Sequence, residues 1–92
     1  MDKNVNAILI HDKDNVVTVT EMIPRDSIAG YIRGGNIVHV KVINDIPRFH
    51  KVAVADIKKN GHVYKYGQLI GEAITNIACG EHVHDHNIVS PP

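Results

Sequence analysis

Ile37-Val38-His39-Val40-Lys41-Val42 decides the fold class. Apolar and polar residues alternate there with period two. Val38, Val40 and Val42 share one face, and His39 and Lys41 lie on the other. A strand buried on one side has this pattern. Working outward, Ala7-Ile8-Leu9-Ile10-His11 and Val16-Val17-Thr18-Val19-Thr20 read as two further strands. Asp12-Lys13-Asp14-Asn15 joins them as a hairpin, because Asp and Asn tolerate left-handed backbone and bond their own main chain. Ile28 to Ile32 is a short strand broken at Gly34-Gly35. His50 to Ala55, Val63 to Tyr66, Leu69 to Ala73 and His82 to His86 are extended pieces. Ile23-Pro24-Arg25-Asp26, Asn44-Asp45-Ile46-Pro47 and Asp56 to Gly61 are turns. Pro24 excludes a central-strand hydrogen bond. No window carries an amphipathic helical repeat. Turn signals recur about every eight to twelve residues, the rhythm of a compact all-β domain. The expectation is one all-β domain over residues 1–90 with little or no helix, followed by a Pro91-Pro92 tail.

A weak internal repeat supports this. Asp56-Ile57 is followed by Gly61, Val63 and Tyr66, and Asn76-Ile77 by Gly80, Val83 and His86. In each copy an Ile can plug a core and a Gly permits positive φ. A looser third copy starts at Met22-Ile23.

Composition narrows the function. Lys and Arg total 10, as do Asp and Glu, for a formal net charge of zero. Nucleic acid and anionic membrane surfaces call for a basic face, so neither is expected as a partner. No apolar run approaches the ~20 residues of a membrane span, and Met1-Asp2-Lys3-Asn4 has no leader-like apolar core. The single cysteine, Cys79, allows no internal disulfide and fits a reducing cytoplasm. A chain of 92 residues is too small to enclose a substrate cavity in its own core. Catalysis, if any, is expected at an interface.

Three histidines alternate in Gly80-Glu81-His82-Val83-His84-Asp85-His86-Asn87. On an extended strand their rings share a face and can converge on one divalent ion, or on an anion when protonated. The other reading is a polar strand edge with solvated histidines. His50-Lys51 places two potential cations at a strand start and suits a carboxylate, phosphate or sulfonate; alternation points them to opposite faces. Tyr64-Lys65-Tyr66-Gly67 sets an amine between two phenols; Lys65 can bind an anion or, if desolvated, act as a base. Taken without context, both stretches read more simply as ordinary surface residues. There is no phosphate-cradling glycine loop, nucleophile elbow or CxxC pair.

In one order the chain carries Asp14-Asn15-Val16, Ile46-Pro47, His50-Lys51-Val52-Ala53, Asp56-Ile57, Lys65-Tyr66-Gly67, Ile70-Gly71, Ala73, Ile77 and Gly80 to Asn87. This combination resembles the N-terminal SAF-type (antifreeze-like, β-clip) domain of the altronate/galactarate dehydratase family. The sulfolactate sulfo-lyase small subunit is similar. The resemblance covers roughly residues 5 to 90. Phe49 stands where the family usually carries Gly.

The resemblance implies a β-clip fold and a metal-dependent hydro-lyase that converts a sugar acid to a 2-keto-3-deoxy acid. The ion expected is Fe(II), with Mn(II) and Mg(II) as alternatives. It also implies a large catalytic subunit as partner in a hetero-oligomer, the isolated chain being free to form a homo-oligomer. Under it, His84 and His86 are expected as metal ligands, with His82 as a third ligand or a structural ring. His50 and Lys65 are expected to hold the carboxylate or move a proton. Lys51, Tyr66 and Asn87 are expected to contact substrate, Asn87 by donating a hydrogen bond to a hydroxyl. A sulfo-lyase subunit and a non-catalytic binding module remain the alternatives.

Overall fold

The computed structural model describes residues 5–91, and among them there is no helix. The described residues are all-β, with nine short strands among them: β1 (Ala7–Ile8), β2 (Val16–Val19), β3 (Ile28–Arg33), β4 (Asn36–Lys41), β5 (Lys51–Ala53), β6 (His62–Lys65), β7 (Gln68–Ala73), β8 (His82–Val83) and β9 (Ile88–Val89). They form three antiparallel sheets: β1-β2-β5-β8, the β3-β4 hairpin, and β6-β7-β9. Met1–Asn4, read above as carrying no leader, and Pro92, read as tail, lie outside the described residues.

The four-stranded sheet separates two cores, and alternation explains how. Val17 and Val52 are cross-strand partners, as are Val16 and Ala53. The first pair faces a cluster with Ala7, Val19, Ile23, Ala29, Tyr31, Val42 and Ile46. The second faces Ile57, Val63, Ala73, Ile77 and Val83. β-branched side chains pack well on both faces of such a pleated partition.

Each core is closed by a pair of identical turns. Ile23 and Ile46 exchange backbone hydrogen bonds of 2.9 and 2.8 Å, and Ile57 and Ile77 exchange bonds of 2.8 and 2.7 Å. Three residues after each Ile comes a positive φ: Asp26 at 71°, Phe49 at 67°, Asn60 at 70° and Gly80 at 92°. The N–H of each of these donates to a carbonyl four residues before the partner Ile, respectively Val42, Val19, Ala73 and Ala53. The repeat thus has a copy at Asp45-Ile46 in addition to those read from the sequence. That copy is hidden because Phe49 replaces the glycine or Asx expected at positive φ.

Side chains reinforce the pairing. The residue before one Ile accepts from the N–H two residues after the other: Arg25 to Asp45 (2.8 Å), Lys59 to Asn76 (2.9 Å) and Cys79 to Asp56 (2.8 Å). The fourth such position is Met22, which has no acceptor to offer Arg48. Gly80 is required by space as well as by φ, because a Cβ there would collide with the Lys41 carbonyl oxygen.

The strand expected over His82 to His86 is cut short. β8 ends at Val83, and the chain turns through His84–Asn87 before β9. The Asn87 side chain takes over: its Oδ1 accepts from the His84 N–H (2.9 Å). The Asn87 and Ile88 N–H groups return to the His84 carbonyl at 3.0 and 3.2 Å. An Asn that bonds its own turn competes successfully with strand continuation.

Candidate functional site

The site forms where β5 pairs with β8. Lys51 lies opposite Val83, and Val52 opposite His82. His50 has the parity of Val52, and His84 that of His82, so alternation gathers His50, His82 and His84 on one side. Nδ1 of His50 and Nε2 of His82 share a hydrogen bond of 2.9 Å. The His50 and His84 rings stack with centroids 4.3 Å apart, and those of His82 and His84 lie 5.7 Å apart and nearly parallel. One ring nitrogen from each of the three lies within 4.8 Å of the others, and all three residues are half-buried. Nδ1 of His84 is buried and makes no hydrogen bond among the described residues.

This changes the composition of the histidine set. The sequence singled out His84 and His86, with His82 as a third ligand or a structural ring, whereas the compact group is His50, His82 and His84. Because the chain turns after Val83, His86 is exposed and flanks His82, with ring centroids 5.2 Å apart and tilted by 33°. His50 was legible as a site residue but not as a member of this group, since only strand pairing brings it across 32 positions.

The three rings suit one divalent ion of the imidazole-binding kind. Their nitrogens are close enough to share a centre, and the buried Nδ1 of His84 has no hydrogen-bond partner among the described residues. An all-nitrogen set matches Fe(II), Mn(II) or Zn(II) better than Mg(II), which prefers oxygen.

Asn87 braces the cluster from beneath. It is buried, and its Nδ2 donates to the Glu81 carboxylate (3.1 Å) and to the His82 carbonyl (2.8 Å). Both amide hydrogens are therefore engaged inside the chain, so Asn87 holds the His82–His84 backbone in place rather than presenting the free donor expected for a substrate hydroxyl. Glu81 in turn accepts from the Ala78 N–H (3.2 Å), tying the brace to the Ile77 turn.

Lys51 stands on the opposite parity to His50, as alternation requires, and shares the Val83 side. Burial, chiefly, and then the nearby Lys65 cation lower its pKa from the ordinary lysine value, while Asp85 acts in the opposite sense. Lys65 ends β6, with its ammonium 4.9 Å from the centre of the Tyr66 ring. Tyr66 is exposed. The two amines thus neighbour each other at the start of β5, on the side opposite the histidine rings and within electrostatic reach of them, a setting that favours an anionic ligand.

His82 and His50 are biased toward the neutral form. Burial, then the neighbouring His50, His86 and His84 rings, bring the His82 pKa down to about 4. Burial, then His84, also lowers His50. Neutral imidazoles are the form that ligates metal.

Sequence comparison relates the chain to known proteins. The altronate/galactarate dehydratase SAF domain family matches residues 5–91. The altronate dehydratase of Bacillus subtilis is 41% identical over 80 residues, covering 87% of this chain and 15% of that protein. The galactarate dehydratase (L-threo-forming) of Escherichia coli is 32% identical over 84 residues, covering 91% and 15%. The (2R)-sulfolactate sulfo-lyase subunit alpha of Chromohalobacter salexigens is 32% identical over 84 residues, covering 87% and 89%. The chain therefore spans about 15% of the length of the dehydratases it matches.

Proposed function

This chain belongs to the altronate/galactarate dehydratase SAF domain family, and we propose that it is the small module of a metal-dependent hydro-lyase. The reaction is removal of water from a sugar acid to give a 2-keto-3-deoxy acid, with a large catalytic subunit completing the site. The observation that supports this best is the convergence of His50, His82 and His84, with an unpartnered buried nitrogen, beside the Lys51–Lys65 edge.

The chemistry asks for three functions: a base for the proton α to the carboxylate, an electrophile for the enediolate, and help for the departing 3-hydroxyl. His50, His82 and His84 would hold the ion, Fe(II) by preference, which supplies Lewis acidity when bound. Lys51 and Lys65 attract and orient the substrate carboxylate, and exposed Tyr66 contacts its chain. With His50 in the ligand set, Lys65 is this chain's own candidate for proton transfer. Asn87 and Glu81 fix the histidine backbone. His86, on the rim, meets substrate or partner. The module's site is open on one side, and the large subunit closes it and excludes water.

One observation favours a second reading. The sulfo-lyase subunit alpha is a relative of comparable length, 89% of it covered by the match. Loss of sulfite from a sulfonated 2-hydroxy acid needs the same α-proton removal, with a different leaving group. The lysine edge suits a sulfonate as well as a carboxylate.

The test is to reconstitute the chain with a large lyase subunit and assay altronate, galactarate and sulfolactate. A 2-keto-3-deoxy product dependent on this chain supports the hydro-lyase, and sulfite release supports the sulfo-lyase. Turnover by the large subunit alone, unchanged by adding this chain, contradicts both.

A further inference from the structure

Asp14 is a buried acid, 4% exposed, in the turn between β1 and β2. Its carboxylate accepts from the Tyr66 N–H at Oδ2 (2.9 Å) and from the Gly67 N–H at Oδ1 (2.7 Å), reaching across more than 50 positions. It also accepts from the His11 N–H at 3.2 Å. Next to it, Asn15 accepts from the Tyr64 N–H (2.9 Å) and donates to the His62 carbonyl (2.8 Å).

The turn held in this way is unfavourable by itself. Lys65 pairs with Gln68, leaving Tyr66-Gly67 as a two-residue loop with φ of 58° and 74°. Such a type I′ turn strongly prefers Asn-Gly or Gly-Gly, and a bulky aromatic at its first position is costly. Two successive N–H groups in a left-handed turn form an anion-binding concavity, and Asp14 fills it from within. A cradled glycine completes the fit: a Cβ on Gly67 would lie 3.0 Å from the His11 ring.

Neither Tyr66 nor Gly67 belongs to either core. A buried carboxylate and a tyrosine at positive φ are thus committed to a turn that adds no side chain to either core. What the turn does fix is the position of the Lys65 ammonium and the Tyr66 phenol at the sheet edge.

We propose that Asp14 is the positioning residue of the anion-binding edge: its hold on the Tyr66-Gly67 N–H groups sets where Lys65 and Tyr66 stand to receive an acid. The proposal rests on the reading of that edge as the carboxylate site. Removing one acceptor, as in Asp14→Asn, lets the turn relax and spreads Lys65 over many positions.

The experiment titrates L-tartrate, a 2,3-dihydroxy acid, into the full isotope-labelled chain and follows the amides of Lys51, Lys65 and Tyr66 by NMR. Zn(II) affinity at the histidines is measured separately. Asp14→Asn is expected to weaken tartrate about tenfold, roughly the loss of one positioned charge-assisted contact, with Zn(II) affinity within about twofold of wild type. In a Tyr66→Asn background the turn is favourable without help, so the same Asp14→Asn change is expected to cost less than about threefold. Equal tartrate affinity in wild type and Asp14→Asn overturns the proposal alone. Parallel loss of tartrate and Zn(II) binding also overturns it, because Asp14 would then support only the fold. A wild-type chain that binds no tartrate overturns the carboxylate-edge reading, and this proposal with it.

Discussion

Nδ1 of His50, just before β5, lies 2.9 Å from Nε2 of His82 on β8. The bond spans two strands and 32 sequence positions, and it joins the motif that carries one of the site's histidines to the tract that carries the other two. One of the two nitrogens donates and the other accepts, so the metal-free pair holds a single proton between them.

The metal-free chain is expected to lose stability in mild acid. Unfolded, His82 takes up a proton near 6.5; folded, it does so only near 4. The unfolded chain therefore binds more protons across that window, and stability present above about 6.5 is lost as pH falls toward 4. Since His82 is only half-buried, screening reduces the effect to on the order of 1–2 kcal/mol. Urea midpoints at pH 7.5, 5.5 and 4.5 measure it. The slope should flatten in His82→Gln, and an unchanged slope there would assign the pH effect to other groups.

Phe49 and Gly80 occupy equivalent turn positions and should respond in opposite directions. Gly80→Ala meets both an unfavourable φ and the Lys41 carbonyl, and should cost roughly 2 kcal/mol or more. Phe49→Gly relieves a left-handed aromatic and should gain about 0.5–1 kcal/mol, after the entropy lost by glycine. Thermal unfolding of the two variants decides the matter, and equal shifts of the same sign would contradict the equivalence.

Met22→Asp should complete the fourth side-chain bond of the paired turns. Three of the four positions already carry Asp or Asn accepting at 2.8–2.9 Å. The added acceptor faces the Arg48 N–H and should stabilise by about 0.5–1.5 kcal/mol, a typical net hydrogen bond. No gain in the denaturation midpoint would mean that the four turns are not equivalent in solution.

Asn87→Ala should separate bracing from ligation. It removes the acceptor of the His84 N–H and two donated bonds, so stability should fall by about 1–3 kcal/mol. Metal affinity should drop roughly 10–100-fold, as when ligand-orienting contacts are lost. Isothermal titration with Zn(II) below the unfolding temperature measures the second effect. Unchanged affinity would show that the histidines need no support from beneath.

Much of the fold was legible because it rests on local rules. The period-two run at Ile37–Val42, the Asp14-Asn15 turn and the Gly34-Gly35 break all lie where the pattern puts them. The repeat was visible at Ile57 and Ile77 because a glycine follows each, although in the first copy Asn60, not Gly61, takes the positive φ. It was hidden at Ile46, where Phe49 adopts a conformation that side chains rarely take. The histidine set was half legible for a similar reason. Alternation correctly related His82 to His84, but it carried the strand on to His86. Nothing local indicates that Asn87 folds its side chain back on His84. Nor does spacing show that His50 joins the group, since β5–β8 pairing is a long-range event. Lys51 and Lys65 illustrate the reverse: each was suspected separately, and only the docking of β6 against the start of β2 brings the two amines near each other.

The central claim is that His50, His82 and His84 together hold one divalent ion. Co(II) titration of the purified chain, followed by its visible absorption, tests it directly. One ion per chain is predicted, with binding abolished in His50→Ala and retained in His86→Ala. Binding that survives His50→Ala and vanishes in His86→Ala would contradict the account.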